Sequence, residues 1–259
     1  MSSSYLTELF AHRFTFLYLV RVNLQLRYQR TALGFFWTLL NPLVTMAITA
    51  IVFSLVFRME VKDYAVFLIA GWLPWLCFSS TLLQSVVVFI HNEGLIKKVY
   101  VPKLVFPAAV ATSTLIDSLL SAVALLAILI LLGANISVHL LFLPAAYLLL
   151  FPFALAVGLA ASIATVYIRD LQYVANHLLQ LAYFLTPILY PLDMIPPKFH
   201  ALYALNPMVL YIELFRAPIY RNAWPEPATV AIAALIGAVL LVVSMAVFRR
   251  FEDQLVFRL

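Results

Sequence analysis

The feature that most restricts the fold is a long run without charge. Between Lys103 and Arg169 the sequence carries one ionised side chain, Asp117, among leucine, valine, alanine and phenylalanine. Helices and strands of soluble proteins place polar residues on their water-facing side at regular intervals, and this run has no such pattern. The hydrocarbon core of a bilayer is roughly 30 Å thick and requires about 20 apolar residues per helical crossing. The run therefore predicts two spanning helices in an all-α integral membrane protein.

Composition supports this class for the whole chain. Of its 259 residues, 65% are hydrophobic and 10% are charged, whereas soluble domains average about 25% charged. No segment is long and polar enough for a separate soluble catalytic domain. Cys77 is the only cysteine, so an intramolecular disulfide is excluded. The charged residues in the first 30 positions argue against a cleavable signal peptide.

Six spanning segments are predicted, with two segments between or before them that do not cross. The predicted spans are 35–57, 64–90, 104–132, 140–168, 171–191 and 227–248. The break between the third and fourth is a weak one, at 133–137. We expect two parts, an interfacial amphipathic helix within residues 1–34 and a six-helix domain over 35–259.

Lysine and arginine placement sets the expected orientation. Six spans put both termini on one side, and that side collects most of the cationic residues that flank the spans. These are Arg13, Arg21, Arg27, Arg30, Lys97, Lys98, Lys103, Arg169, Arg249, Arg250 and Arg258. Both termini are therefore predicted to be cytoplasmic.

The two segments that do not cross each allow two interpretations. Residues 6–31 mix arginines with phenylalanines and leucines, which favours a helix lying in the headgroup plane; a solvated helical arm is the alternative. Residues 193–226 contain five prolines between apolar stretches too short to cross. Here we predict two short helices that dip into the outer leaflet as an extracytoplasmic lid, with an ordinary amphipathic loop as the alternative.

The motifs of several function classes are missing from the sequence. It contains no G-x-x-x-x-G-K-[ST] loop for ATP, no H-E-x-x-H and no G-x-S-x-G. The five histidines are scattered without the spacing of metal ligands, so no metal or catalytic site is predicted. The cationic residues follow the membrane boundary, which argues against nucleic-acid binding.

Three groups of polar residues remain as functional candidates. Asp117 would lie near mid-membrane, beside Thr114, Ser118 and Ser121, either as a transport site or as a hydrogen-bonded residue that joins helices. Asn176, His177 and Gln180 share one side of the fifth span. Aromatic residues accompany them, so the span could contact a sugar, although such residues also form interfacial belts. Those aromatic residues are Tyr173, Tyr183, Phe184 and Tyr190.

The third group is the cytoplasmic segment 92–98. Asn92 is placed to cap a short helix. Leu95 and Ile96, outside the membrane, would suit a docking contact with a partner protein, and a charged turn is the alternative.

Several stretches together resemble a known family. Arg27-Tyr28-Gln29-Arg30-Thr31-Ala32-Leu33-Gly34-Phe35-Phe36-Trp37-Thr38-Leu39-Leu40-Asn41-Pro42-Leu43 resembles the start of the first span in ABC-2-type permeases, above all the O-antigen and teichoic-acid exporters. Residues 92–102 resemble their coupling segment, 167–171 their fourth-to-fifth junction and 187–207 their re-entrant loop. The resemblance covers nearly the whole chain in the same order.

The resemblance implies a homodimer in the bacterial inner membrane with two copies of a separate ATPase subunit. ATP and Mg²⁺ would be bound by that subunit, so no cofactor is expected on this chain. The channel would lie at the dimer interface and be built largely from the first and fifth spans. Its cargo would be a lipid-linked glycan that moves from cytoplasm to periplasm.

The resemblance also suggests roles for individual residues. Channel-lining candidates are Phe36, Trp37, Tyr173, His177, Gln180, Tyr183 and Tyr190. Candidates for contact with the ATPase are Arg27, Asn92, Glu93, Leu95, Ile96 and Lys97. Candidates for the extracytoplasmic gate, where Glu213 and Arg216 could pair, are Pro197, Phe199, Leu205, Met208, Glu213 and Arg216.

Three other functions stay open at the level of sequence. An ABC-2 permease for teichoic acid, capsule, or a small drug or lipid would share the fold. An ion-coupled secondary transporter would use Asp117. An intramembrane enzyme is disfavoured because no nucleophile and base are brought together by any recognisable motif.

Overall fold

A computed structural model describes residues 11–28, 36–131, 133 and 137–259, with the backbone alone at 27, 28, 36–39, 41, 42, 131, 201 and 202. Over these residues the chain consists of helices and connecting loops, without strands. The helices are α1 Arg13–Tyr28, α2 Phe36–Phe57, α3 Val61–Val86, α4 Val88–His91, α5 Glu93–Lys98, α6 Val105–Leu131, α7 Leu143–Tyr167, α8 Leu171–Leu185, α9 His200–Ala204, α10 Pro207–Ile219 and α11 Pro227–Arg258.

Four described segments are long and apolar enough to cross a membrane. They are Val61–Val86, Val105–Ile130, Val138–Tyr167 and Pro227–Arg258, and a shorter apolar helix covers Leu43–Phe57. The first four predicted spans agree with α2, α3, α6 and α7 to within a few residues, except that Val87 interrupts the second before α4. The all-helical membrane class is confirmed, and the count of six spans stays a prediction.

The main core surrounds α3, which packs against α2, α6, α7, α8 and α10. Aromatic rings hold α7 to α10: Tyr147 meets Phe215 edge to face at 4.8 Å, and Phe153 stacks on Tyr211 at 4.7 Å. The Tyr211 hydroxyl in turn donates to the Ala233 carbonyl of α11 at 2.9 Å. This core therefore joins the short helix α10 firmly to the long helices.

A second core joins α1 to the start of α6 and to the ends of α7 and α11. On α1, Leu19 and Val20 are buried, whereas Phe14, Leu17 and Tyr18 are exposed. A helix with one apolar side in the protein and further apolar residues outside it suits the headgroup region. The interfacial position of α1 nevertheless stays a prediction.

The predicted fifth span, 171–191, is too long. Helix α8 ends at Leu185, and its 15 residues extend for only ~22 Å. Thr186 has extended backbone angles, as expected of a residue before a proline. The next five residues continue as non-helical backbone, which the apolar composition of the segment did not indicate.

Helix α11 extends beyond the predicted sixth span, 227–248. Helix α11 continues to Arg258, and its 32 residues extend for ~48 Å. Charged residues beyond Phe248 suggested an end, but they are compatible with a helix that leaves the membrane. Tyr167 stabilises this extension, because its hydroxyl donates to Gln254 Oε1 at 3.0 Å and its ring lies 4.5 Å from the Arg258 guanidinium.

Two contacts bring together loops that six spans would place on the same side. Lys62, before the second predicted span, donates to the carbonyl of Gly133, after the third. Gly133 has a φ of 77°, which favours glycine. At the other end, Tyr167 meets the C-terminal extension. Both contacts agree with an alternating chain path.

Candidate functional site

Helix α8 differs from the other long helices in how little of it is covered. Leu179 is its only buried residue. Asn176, His177 and Gln180, which the sequence places on one side, are all exposed. Lipid hydrocarbon cannot satisfy such polar groups, so they require water, a ligand or another protein surface.

The predicted aromatic residues of this region are divided between the surface and the core. Tyr173 and Phe184 are exposed by 66% and 64%. Tyr183 is half-buried, with its ring 5.7 Å from Trp75 of α3. Tyr190 lies beyond the helix, where its hydroxyl donates to the Phe184 carbonyl at 2.7 Å. Sequence periodicity alone could not separate these environments, and the side chains of Phe36 and Trp37 lie outside the described residues.

Two apolar cavities flank α8. The first, of about 890 Å³, lies between the end of α2, the end of α8 and the loop before α10, with Phe57, Leu185, Tyr190, Phe199 and Tyr203 among its walls. The second, of about 500 Å³, lies between α3, α7 and α8. Helix α8 therefore has open space beside it as well as exposed polar groups.

The loop after α8 is closed by hydrogen bonds that the sequence did not reveal. The hydroxyls of Tyr190 and Tyr203 are 3.0 Å apart. Asn206 donates to Thr186 Oγ1 at 2.9 Å and accepts from the Met208 amide at 3.0 Å, so it also caps α10. The Asn206-Pro207 pair is a recognisable helix start and could have indicated this cap.

The six predicted gate residues have different surroundings. Pro197 begins a short 3₁₀ turn, Phe199 and Leu205 are exposed at the large cavity, and Met208 is buried at the start of α10. The predicted pair of Glu213 with Arg216 is wrong. Glu213 pairs with Arg221, while Arg216 points into the protein and is only 7% exposed.

The candidate coupling segment forms the short helix α5. Asn92 stands at its N-cap position, but its amide donates back to the Val88 carbonyl at 2.8 Å and makes no capping bond, so the predicted cap is wrong. Lys97 donates to Glu93 at 2.6 Å, and this bond, followed by the lysine's charge, lowers the pKa of Glu93. Ile96 packs against the second core, while Leu95 is exposed. The Arg27 side chain lies outside the described residues.

Asp117 is half-buried on α6 among buried hydroxyl residues. Thr114 meets Thr81 of α3 with their hydroxyl oxygens 2.6 Å apart, and the Ser118 carbonyl accepts from the Tyr147 hydroxyl at 3.2 Å. The polar stripe around Asp117 thus joins three helices. Its role as a transport site or as a purely structural residue stays a prediction.

The family follows from comparison with known proteins. A family model described as ABC-2 type transporter matches residues 15–220. The chain belongs to this family. It is 31% identical to the O-antigen export system permease protein RfbA of Myxococcus xanthus over 249 residues, which are 95% of this chain and 96% of that protein.

Further relatives are similar along most of their length. A protein with the same name from Klebsiella pneumoniae is 29% identical over 231 residues, 89% of each chain. The polysialic acid transport protein KpsM of Escherichia coli is 26% identical over 238 residues, 90% of this chain and 92% of that protein. The resemblance recognised in the sequence is confirmed.

Proposed function

We propose that this chain is the membrane subunit of an exporter that moves a lipid-linked polysaccharide from the cytoplasm to the periplasm. The names of the similar proteins support a polysaccharide cargo, because they describe O-antigen export and polysialic acid transport. The protein would lie in the bacterial inner membrane with both termini in the cytoplasm.

The observation that carries the proposal is the uncovered side of α8. Amide and imidazole groups at Asn176, His177 and Gln180 are exposed on a helix of an apolar membrane domain. Exposed tyrosine and phenylalanine rings accompany them at Tyr173 and Phe184. A sugar offers hydroxyls to such amides and C–H faces to such rings, whereas a lipid chain offers neither partner.

A second copy of the chain would complete the path. Helices α2 and α8 both expose apolar residues, and the cavity of about 890 Å³ lies between their ends. The exposed apolar side of α2 includes Leu40, Val44, Ile48, Ile51, Val52, Leu55 and Val56. Joining α2 and α8 of two protomers would cover these sides and enclose a polar path between them.

Energy would come from a separate ATPase subunit on each protomer, which would bind ATP and Mg²⁺. Helices α1 and α5 are suited to receive its motion, because both pack against the second core at the ends of α6, α7 and α11. A push on α5 would be passed to Ile96 and from there to the long helices. The short helices α9 and α10, with the loop before them, would form the extracytoplasmic gate.

The experiment that tests this function is a clean deletion in a host without a second copy of the gene, complemented by the full chain. We expect lipid-linked glycan to accumulate in the cytoplasm of the deletion strain and surface glycan to return on complementation. Normal surface glycan in the deletion strain would contradict a polysaccharide cargo. Purification should also recover the ATPase subunit with the complementing chain.

A further inference from the structure

A buried stretch of non-helical backbone follows α8. Thr186, Pro187, Ile188 and Leu189 are all buried, although none belongs to a helix. Carbonyl groups of such backbone need donors from the protein when neither helix nor water supplies them. Three consecutive carbonyls obtain them: those of Pro187 and Ile188 from Arg216, and that of Leu189 from the Tyr64 hydroxyl at 2.7 Å.

Arg216 lies at the point where three elements meet. Its guanidinium belongs to α10 and donates to the backbone of residues 186–189, here called the α8 exit. It also stands 4.1 Å from the centre of the Phe67 ring of α3. Arginine suits this position because one planar group can donate to two acceptors while it lies over an aromatic face. Gly71 leaves the necessary room: a Cβ there would be 3.3 Å from Arg216 Nη2 and 3.3 Å from the Ile188 carbonyl oxygen.

The charge of this arginine is expensive to bury. Glu213, on the same helix, pairs with Arg221 instead, so the bonds that hold Arg216 are those to carbonyl oxygens. Carbonyl groups and a ring compensate only part of the cost of removing a cation from water. A neutral donor could satisfy a carbonyl more cheaply, which points to a task for the full guanidinium.

We propose that Arg216 is a positioning residue that keeps the extracytoplasmic end of the export path closed at rest. This inference rests on the proposed function, in which α8 borders the path. With Arg216 in place, the α8 exit cannot move independently of α3 and α10. Without it, the carbonyls of Pro187 and Ile188 lose their donor and require water. Water would then occupy the exit, and small polar solutes would follow.

The test uses the full chain with its ATPase subunit in cells that lack their own copy. The variants are Arg216→Gln and Arg216→Lys, and the matched control is Arg221→Gln, which alters an exposed arginine just beyond the same helix. The readout is passive uptake of a small chromogenic galactoside, hydrolysed by a cytoplasmic galactosidase and normalised to permease in the membrane. Copurified ATPase activity is measured alongside.

We expect Arg216→Gln to raise uptake about tenfold, Arg216→Lys to raise it about threefold, and the control to match the wild type, because only the first two weaken the bonds at the exit. Copurified ATPase activity should be retained. An Arg216→Gln protein that accumulates normally and stays impermeable would overturn the proposal, as would equal uptake in the control.

If Arg216→Gln fails to accumulate, two further variants test whether contacts at the α8 exit keep it closed. Gly71→Ala displaces the guanidinium or the Ile188 carbonyl by a few tenths of an ångström, and Tyr64→Phe removes only the donor to Leu189. Both should raise uptake about two- to threefold, since each loosens one contact of the same exit. If both variants accumulate and stay impermeable, the proposed role of these contacts in closing the exit is wrong. Failure of the wild-type chain to restore surface glycan would instead refute the proposed function. The two outcomes are distinct, because galactoside uptake does not depend on glycan export.

Discussion

Helices α3 and α8 are both apolar and aromatic, but they are covered to opposite extents. In α3, residues along the whole helix are buried, from Tyr64 near its start to Val86 at its end. In α8, the single buried residue is Leu179. The two helices are in contact through Trp75 and Tyr183, so the difference does not come from distance to the core.

This difference reflects how helices associate inside a membrane, where the lipid around them is itself apolar. Lipid is as apolar as leucine, so close packing and interhelical hydrogen bonds decide which surfaces meet. Helix α3 has both, because Gly158 of α7 approaches Ser85 closely and Thr81 bonds to Thr114 of α6. Helix α8 instead exposes amides and an imidazole. The first helix completes a protomer, while the second requires something outside it.

The largest expected effect comes from disturbing the contact that covers α3. A Cβ on Gly158 would lie 2.7 Å from Ser85 Oγ and 3.0 Å from Ser85 Cβ. Overpacking of this kind costs about 1–3 kcal/mol, so Gly158→Ala should lower the Tm in detergent by about 2–10 °C. Gly158→Leu should prevent accumulation altogether.

Cys77 provides the measurement for this variant, because it is the only cysteine and is buried. A thiol-reactive fluorophore will report unfolding as the temperature rises. Gly94→Ala is the control, since no atom lies within 4 Å of a Cβ at that position. A Tm for Gly158→Ala equal to that of the control would mean that α3 and α7 are not closely packed at this crossing.

The second largest effect concerns the uncovered helix. Replacing Gln180 by leucine removes a polar group that is exposed on α8. We expect the Tm of the protomer to change by less than about 2 °C, because exposed substitutions have small effects on stability. Glycan export should fall about tenfold, as expected if a contact with the cargo or the second protomer is lost.

Cysteine variants in a Cys77→Ser background test whether α8 meets a second copy of the chain. Gln180→Cys on α8 should form disulfide-linked dimers with a membrane-permeable oxidant. Val242→Cys, at an exposed position on α11, should stay monomeric. Equal cross-linking at both positions would indicate random collision, and its absence at Gln180 would contradict a contact between the α8 helices of two copies at this position.

The four long apolar segments were predictable because each consists of an almost unbroken hydrophobic run. The ends of α8 and α11 were not, since they depend on contacts distant in sequence. Pro187 gave a hint of the first end, but the burial of the following backbone depends on Arg216 and Tyr64. The second depends on Tyr167, 87 residues before Gln254.

The candidate site was predictable where it depends on local spacing and not where it depends on contacts distant in sequence. The i, i+3 and i+4 spacing is enough by itself to place Asn176, His177 and Gln180 on one side of a helix. Spacing also suggested a pair between Glu213 and Arg216. Tertiary contacts decide otherwise, because Arg216 donates to buried backbone carbonyls and Glu213 pairs with Arg221.

A smaller effect is expected from the hydrogen bond between α3 and α6. Thr114→Val keeps the shape of the side chain but removes its hydroxyl, which meets the Thr81 hydroxyl at 2.6 Å. Interhelical bonds in membranes contribute about 0.6 kcal/mol on average, so the Tm should fall by about 1–3 °C. Thr49→Val is the control, because the hydroxyl of Thr49 donates to the Thr45 carbonyl in its own helix. An equal change in both variants would show that Thr81 adds nothing.

The smallest effect is expected at α5, an exposed helix at the cytoplasmic end of the proposed path. Glu93→Gln removes the charge that pairs with Lys97. The pKa of Glu93 is lowered in the folded protein, so the pair is present above the ordinary carboxyl value and is lost only as the pH falls through the lowered one. The measurement is the amount of ATPase subunit that copurifies with the wild type, divided by the amount that copurifies with Glu93→Gln. This ratio should lie within about threefold of one and stay constant from pH 8 to about pH 5.5. A ratio that changes between pH 8 and pH 5.5 would contradict a contact that depends on the charge of Glu93 alone.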